Sequence, residues 1–256
     1  MSGSPVGRIV AGYGPAALIA AAAIGLWELV VRVWSVPSYI MPPPSGVARA
    51  FDTDGTLLAS ATWVTVQEVV AGFALAVAAG VAIAVVLHLS GHLRRALTPL
   101  LVASQTVPVV VLAPVLVFIM GYGFGPKLVI VALICFFPVV VNMLDGLRSV
   151  DPELVTMMRT LHASRSAILR RVELPASLPL LFSGLRVAAT YASIGAVFGE
   201  WSGSTEGLGY VMLQATPSLE TERVLAAVVV LSIVSLILFA AVGLAERALA
   251  PWAREP

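Results

Sequence analysis

Val224-Leu225-Ala226-Ala227-Val228-Val229-Val230-Leu231-Ser232-Ile233-Val234-Ser235-Leu236-Ile237-Leu238-Phe239-Ala240-Ala241-Val242-Gly243-Leu244 contains no charged residue. A helix needs about 20 mostly apolar residues to cross the hydrocarbon core of a bilayer, and this run meets that length. The whole chain agrees with it. Of 256 residues, 59% are hydrophobic and only 11% charged, with a mean hydropathy of +0.98. Soluble domains carry about 25% charged residues, so this chain has too few to cover a water-facing surface. Lipid is the solvent for most of it. A formal net charge of +1 argues against a nucleic-acid partner. The single cysteine, Cys135, lies in an apolar run and excludes an internal disulfide framework.

Six spans follow, at about 13–34, 65–89, 100–120, 128–147, 178–198 and 224–244, within a single membrane domain over residues 1–256. The fold class is therefore all-α. The first span is read as retained, because its apolar core exceeds the 7–15 residues typical of a signal peptide and only Arg8 precedes it. Residues 36–60, holding Pro42-Pro43-Pro44, are expected to be an extended external segment, since three prolines cannot sit inside a helix. In span two, Gly72, Ala76, Ala79 and Gly80 suit close helix packing in lipid. Residues 90–97 read as a short loop, and span three, with Pro108 and Pro114, as a kinked helix. Residues 200–222 read as polar and glycine-rich.

Orientation follows from Lys and Arg near the span ends. With the N-terminus inside, Arg8, Arg94, Arg95, Arg148, Arg159, Arg165, Arg170, Arg171, Arg247 and Arg254 are inner. Arg32, Arg49, Lys127 and Arg223 are outer, and Arg186 falls within span five. Both termini are thus expected in the cytoplasm.

Between spans four and five lies the polar stretch 151–175. Asp151 is a good N-cap, Pro152 fits the first helical position, and Glu153 suits the positive end of the helix dipole. Leu154, Met157, Met158 and Leu161 then fall on one helical face. A short amphipathic helix results, followed by basic residues from Arg165 to Arg171. Such a helix either rests on anionic headgroups or docks on a cytoplasmic partner, and periodicity leaves both open. Methionines on the apolar face suit an adaptable protein contact.

Asp151-Pro152-Glu153-Leu154, His162-Ala163-Ser164, Leu174-Pro175 and Pro179 resemble the EAA-type cytoplasmic loop of ABC importer permeases. Met41-Pro42-Pro43-Pro44, Gly72-Phe73, Pro99, Phe136-Phe137-Pro138, Ser183-Gly184-Leu185-Arg186, Gly199-Glu200-Trp201 and Gly207-Leu208-Gly209-Tyr210 resemble one branch of that family. The branch serves sulfonates, taurine, nitrate and hydroxymethylpyrimidine-type vitamin precursors. The chain departs from the pattern in the loop. Thr156 stands where the family has the opening glutamate, Met157 and Met158 replace its two alanines, and His162 replaces its glycine.

The resemblance implies the permease subunit of an ATP-driven type I importer in a bacterial inner membrane. It implies an ATPase-coupling helix formed by Asp151, Pro152, Glu153, Leu154, Thr156, Met157, Met158, Leu161, His162, Ala163 and Ser164. Its implied partners are two ATPase subunits, a second permease chain in a homodimer, and an external substrate-binding protein that delivers the solute. Spans 190–201 and 207–210 look most like permeases for hydroxymethylpyrimidine, thiamine precursors or riboflavin, with sulfonate or taurine next.

The chain is not expected to be the ATPase. Lys127 is its only lysine and follows Pro126, so the Gly-Lys-Ser/Thr core of a phosphate-binding loop is absent. ATP and magnesium belong to the partner, with no cofactor or metal in this chain. His88 and His92 are four apart, but no third metal ligand is evident. The rival reading is a secondary transporter or channel, coupled to ions through Glu68 or Asp145. Candidates for the translocation path are the polar and aromatic residues at membrane depth: Glu68, Asn142, Arg186, Tyr191, Glu200 and Trp201. Interhelical pairing is the alternative role for each, and a partner for Arg186 must then come from another helix.

Overall fold

A computed structural model of the chain describes residues 5–253, and every described element is a helix. Arg254 and Glu255 lie outside the described residues, as do the side chains of Arg8 and Tyr13. In chain order the helices are α1 (Pro5–Val33), α2 (Pro44–Thr53), α3 (Gly55–Leu89), α4 (Gly91–Ser104), α5 (Val109–Met120) and α6 (Phe124–Arg148). There follow α7 (Pro152–Thr160), α8 (Arg165–Ile168), a π-helical turn (Leu169–Glu173), α9 (Leu174–Gly203), α10 (Leu208–Ala215), α11 (Thr221–Leu249) and a final 3₁₀ turn.

Among the described residues, five helical stretches are long and apolar enough to cross a membrane: Gly14–Val33, Gly55–Leu89, Phe124–Arg148, Arg165–Gly203 and Thr221–Leu249. A sixth exists only if α4 and α5 count as one span, and these are bent by 97°. The expected kinked span is thus a broken one. Pro108 is the N-cap of α5, where it has no N–H to continue a ladder and disfavours helix at Val107. With 12 residues, α5 reaches only about 18 Å, well short of a bilayer core.

Three other segments differ from the sequence reading. Residues 36–60 hold α2, because the last of the three prolines occupies the first helical position and its missing N–H costs nothing there. Residues 90–97 are helical, with the Ser90 hydroxyl accepting the Leu93 N–H at 3.4 Å as an N-cap. Residues 200–222 contain the end of α9, the helix α10 and the start of α11.

The described residues partition into two compact units, a smaller one up to residue 59 together with 211–228 and a larger one of 60–210 together with the residues from 229 on. In the smaller unit, Glu28 on α1 holds the start of α2. Its carboxylate accepts the Ser45 N–H at 3.0 Å and the Ser45 hydroxyl at 2.8 Å, and pairs with Arg32. Arg223 donates to both carboxylate oxygens of Asp54, at 2.8 and 2.9 Å, in the two-pronged geometry that only a guanidinium offers.

The larger unit is built on α6, which packs along α9. Its core includes Val131, Cys135, Val139 and Met143 of α6, Leu185, Ala188 and Ala192 of α9, and Val69, Ala76 and Ala84 of α3. Lipid tails are as apolar as these side chains, so close packing rather than water exclusion holds such helices together. Small residues make it possible. A β-carbon on Gly72 would lie 2.5 Å from Val131 Cβ, and one on Gly80 would lie 2.7 Å from Val139 Cγ1. The small-residue spacing read from span two is therefore the seam between α3 and α6.

Candidate functional site: a capped surface helix and two buried ion clusters

Local sequence builds α7 as a short, self-contained helix. Asp151 Oδ1 accepts the Glu153 N–H at 2.8 Å, Pro152 occupies the first turn, and the Thr156 hydroxyl donates to the Pro152 carbonyl at 2.9 Å. The helix ends in a Schellman motif. His162 N–H donates to the Arg159 carbonyl at 2.9 Å, and Ala163 N–H to the Met158 carbonyl at 3.0 Å. That motif requires a left-handed residue between them, and His162 supplies it with φ of 59°. The family pattern has glycine at this position, so the turn survives the substitution at the expense of backbone strain. Ser164 then caps α8, accepting the Ala167 N–H at 3.3 Å.

No residue of α7 is buried. Leu154, Met157 and Leu161 are 39%, 52% and 70% exposed, and Met158 is half-buried. The apolar face expected from the periodicity is present and lies uncovered in this chain. On its other side, Pro152, Val155, Thr156 and Arg159 face a cleft of about 330 Å³ shared with Leu147 and Arg148 of α6 and His88 of α3.

The shielded side chains of Glu173 and His88, with the exposed Arg165, line the far wall of that cleft. Glu173, at the end of the π-helical turn, accepts from Arg165 Nη1 at 2.8 Å and stands 3.0 Å from His88 Nε2. The same His88 nitrogen is 3.1 Å from Arg165 Nη2. The side chains of Glu173 and His88 are almost wholly shielded, so each relies on the other and on Arg165 for polar contact. His88 thus has an acid and a guanidinium as neighbours; His92 is not among them.

The second cluster surrounds Glu68 and Glu200, both fully buried. Lys127, the chain's only lysine, pairs with Glu68 and donates to the Ser204 hydroxyl at 3.0 Å. The Glu200 carboxylate accepts the Thr65 hydroxyl at 2.6 Å, the Gly209 N–H, and the Tyr210 N–H at 3.3 Å. Thr65 in turn accepts the Leu208 N–H at 2.9 Å. Trp201 Nε1 donates to the Gly209 carbonyl at 2.9 Å. These bonds fasten the 204–210 turn onto the ends of α3, α6 and α9. Lys127 was counted from the sequence as an outer surface charge. Its place in the first turn of a buried helix, one span from an isolated glutamate, is the signal that marks it as a partner.

The remaining path candidates fall in different settings. Arg186 pairs with Glu246 of α11, a helix other than its own, and its guanidinium lies 5.8 Å from the Phe239 ring centroid. Asn142 donates to the Pro138 carbonyl of its own helix at 2.8 Å. Tyr191 is 47% exposed on a face of α9 with Ser183, Val187, Thr190 and Ile194, and Trp201 is 44% exposed.

Comparison with known proteins bears on the whole arrangement. Residues 74–254 match the family described as binding-protein-dependent transport system inner membrane component. A probable ABC transporter permease protein of Haemophilus influenzae is 39% identical over 87% of this chain and 91% of its own length. The formylaminopyrimidine transport permease protein ThiX of Halalkalibacterium halodurans is 34% identical, covering 90% and 92% of the two chains. The riboflavin transport system permease protein RibX of Chloroflexus aurantiacus is 35% identical, covering 88% and 85%. Among solved structures, an inward-facing MetNI methionine ABC transporter aligns with a TM-score of 0.67 at 19% identity, over 75% of this chain and 96% of that one, a likeness of fold. The chain belongs to the binding-protein-dependent transport system inner membrane component family and is a membrane-spanning permease subunit of an ABC importer.

Proposed function

We propose that α7 and the turn after it dock on the ATPase subunits at the cytoplasmic face, and that this contact converts their closure into alternating access. The carrying observation is the uncovered apolar face of Leu154, Met157 and Leu161 on a helix whose ends are capped by its own residues. A preformed helix with an unpartnered apolar stripe fits a groove on another protein. In this reading Asp151 through Ser164 form the contact, both termini are cytoplasmic, and two copies of the chain assemble with two ATPases. An external binding protein delivers the solute.

The solute in this reading is an uncharged heteroaromatic of the hydroxymethylpyrimidine, thiamine-precursor or riboflavin kind. Two relatives above 30% identity are named for formylaminopyrimidine and riboflavin. The uncovered face of α9 offers the hydroxyls of Ser183 and Thr190 and the Tyr191 ring, with no charge among them. The cations at membrane depth, Lys127 and Arg186, are already paired with Glu68 and Glu246. An organic anion such as a sulfonate finds no free cation on that face. Tyr191 and Trp201 are the path candidates this reading retains as contacts, while Glu68, Glu200, Arg186 and Asn142 hold helices.

A mild-detergent pull-down of the tagged chain from native membranes, assayed for ATPase activity, tests the docking surface. Wild type brings down activity, and Leu161→Asp, which puts a charge on the docking face, loses it while remaining inserted. Equal activity from both overturns the assignment. Uptake by the same cells of labelled hydroxymethylpyrimidine against labelled taurine tests the solute class, and preference for taurine refutes it.

A further inference from the structure

The sequence singled out His88 for a role that metal chemistry did not fill, and the structure gives it another. His88 is the penultimate residue of α3, whereas Arg165 and Glu173 begin and end the segment that joins α7 to α9. A cleft separates the inner face of α7 from this end of α3, so apolar packing does not fill the space between them. Along its wall, the segment that follows α7 meets α3 through polar contacts: Glu173 is 3.0 Å from His88 and Arg165 is 3.1 Å from it, while Arg165 holds Glu173 at 2.8 Å within the segment. Glu173 also closes a π-helical turn, an irregularity frequently found at functional sites.

We propose that Glu173 is a positioning residue that makes the end of α3 follow α7, so that movement of the docking helix reaches α3 as well as its chain neighbours α6 and α9. The physical argument is stiffness. Drawing α3 away would strip the shielded His88 ring and the Glu173 carboxylate of the polar contact between them, which is unfavourable away from water. A cleft lined by Val155, Thr156 and Arg159 closes or opens freely by comparison. The polar bridge therefore ties the end of α3 to the segment that α7 leads into. The inference rests on the reading of α7 as the ATPase-docking helix.

The test uses the complex purified from native membranes and placed in lipid nanodiscs, with Cys135 replaced by serine. Spin labels go on Thr160→Cys at the end of α7 and Leu89→Cys at the end of α3, both exposed positions. Their separation is measured without nucleotide and after trapping with ATP and vanadate. The expected result is one unchanged separation in the otherwise wild-type pair. In Glu173→Gln, and independently in His88→Gln, the separation shifts by about 2–5 Å on trapping, the scale of helix displacements in such transitions. ATPase activity still co-purifies with both variants, which a simple folding defect would not allow. His88→Gln decides the matter if Glu173→Gln does not assemble, because it leaves the Arg165–Glu173 pair in place. An unchanged separation in His88→Gln, or a shift already present without either substitution, overturns the proposal. Leu161→Asp in the same preparation separates the two readings: full ATPase activity there refutes the docking reading, whatever Glu173 does.

Discussion

The carboxylate of Glu200 fills the space that a β-carbon on Gly207 would occupy. Gly207 also has φ of +104°, a conformation that L side chains rarely adopt. Clash and backbone strain act together at this position. Gly207→Ala is expected to destabilise the chain by more than about 1 kcal/mol, and by more than alanine at Gly91, where a β-carbon meets nothing. Thermal denaturation of the two variants in detergent checks the order.

Thr65 works in both directions, donating to Glu200 and accepting from the Leu208 N–H. Thr65→Val keeps the shape and deletes both bonds, leaving buried polar groups unmet at a cost of about 1–3 kcal/mol. Thr65→Ser retains the hydroxyl and stays much closer to wild type. Melting temperatures of the two variants, together with proteolysis within residues 204–210, read the difference.

Lys127 is the cation paired with Glu68, one of the two fully buried carboxylates of this cluster. Lys127→Met leaves Glu68 without it and is expected to cost about 3–5 kcal/mol, the range for breaking a buried pair from one side. Adding Glu68→Gln removes the orphaned charge and recovers part of the loss. A double-mutant cycle on stability in detergent measures the coupling, and strictly additive effects refute the pairing.

His162 holds the left-handed position of the turn after α7. His162→Gly relieves the strain there, so the variant is expected to retain the ATPase in pull-downs. His162→Val places a β-branched residue in a conformation costing L residues about 1–2 kcal/mol and should weaken retention. Comparable retention by both variants refutes a role for this turn in the proposed docking contact.

Legibility in the sequence followed the range of the forces involved. Crossing a bilayer is a demand on one run of residues at a time, so α3, α6, α9 and α11 were visible as apolar stretches. Capping is equally local, and Asp151 and Pro152 announced α7 because a cap acts within one turn of its own helix. The small residues of span two were legible as a packing seam, since only a missing side chain permits Gly72 to meet Val131. Pro108 and Pro114 marked irregularity in span three. Whether it became a kink or a 97° break depended on what the freed chain packs against, which no local signal carries.

Partnerships between charges were of the other kind. Arg186 required an acid on a different helix, yet nothing in the order of residues pointed to Glu246, sixty positions away. Lys127 and Glu68, and His88 and Glu173, likewise meet because helix rotation and depth bring them together. A helix's own sequence sets which face is apolar, but its rotation and depth are fixed by the helices it packs against. The spans, the caps and the amphipathic helix α7 thus came from short-range chemistry, whereas the ion clusters that tie the helices together arose from packing, where a buried charge must find its opposite.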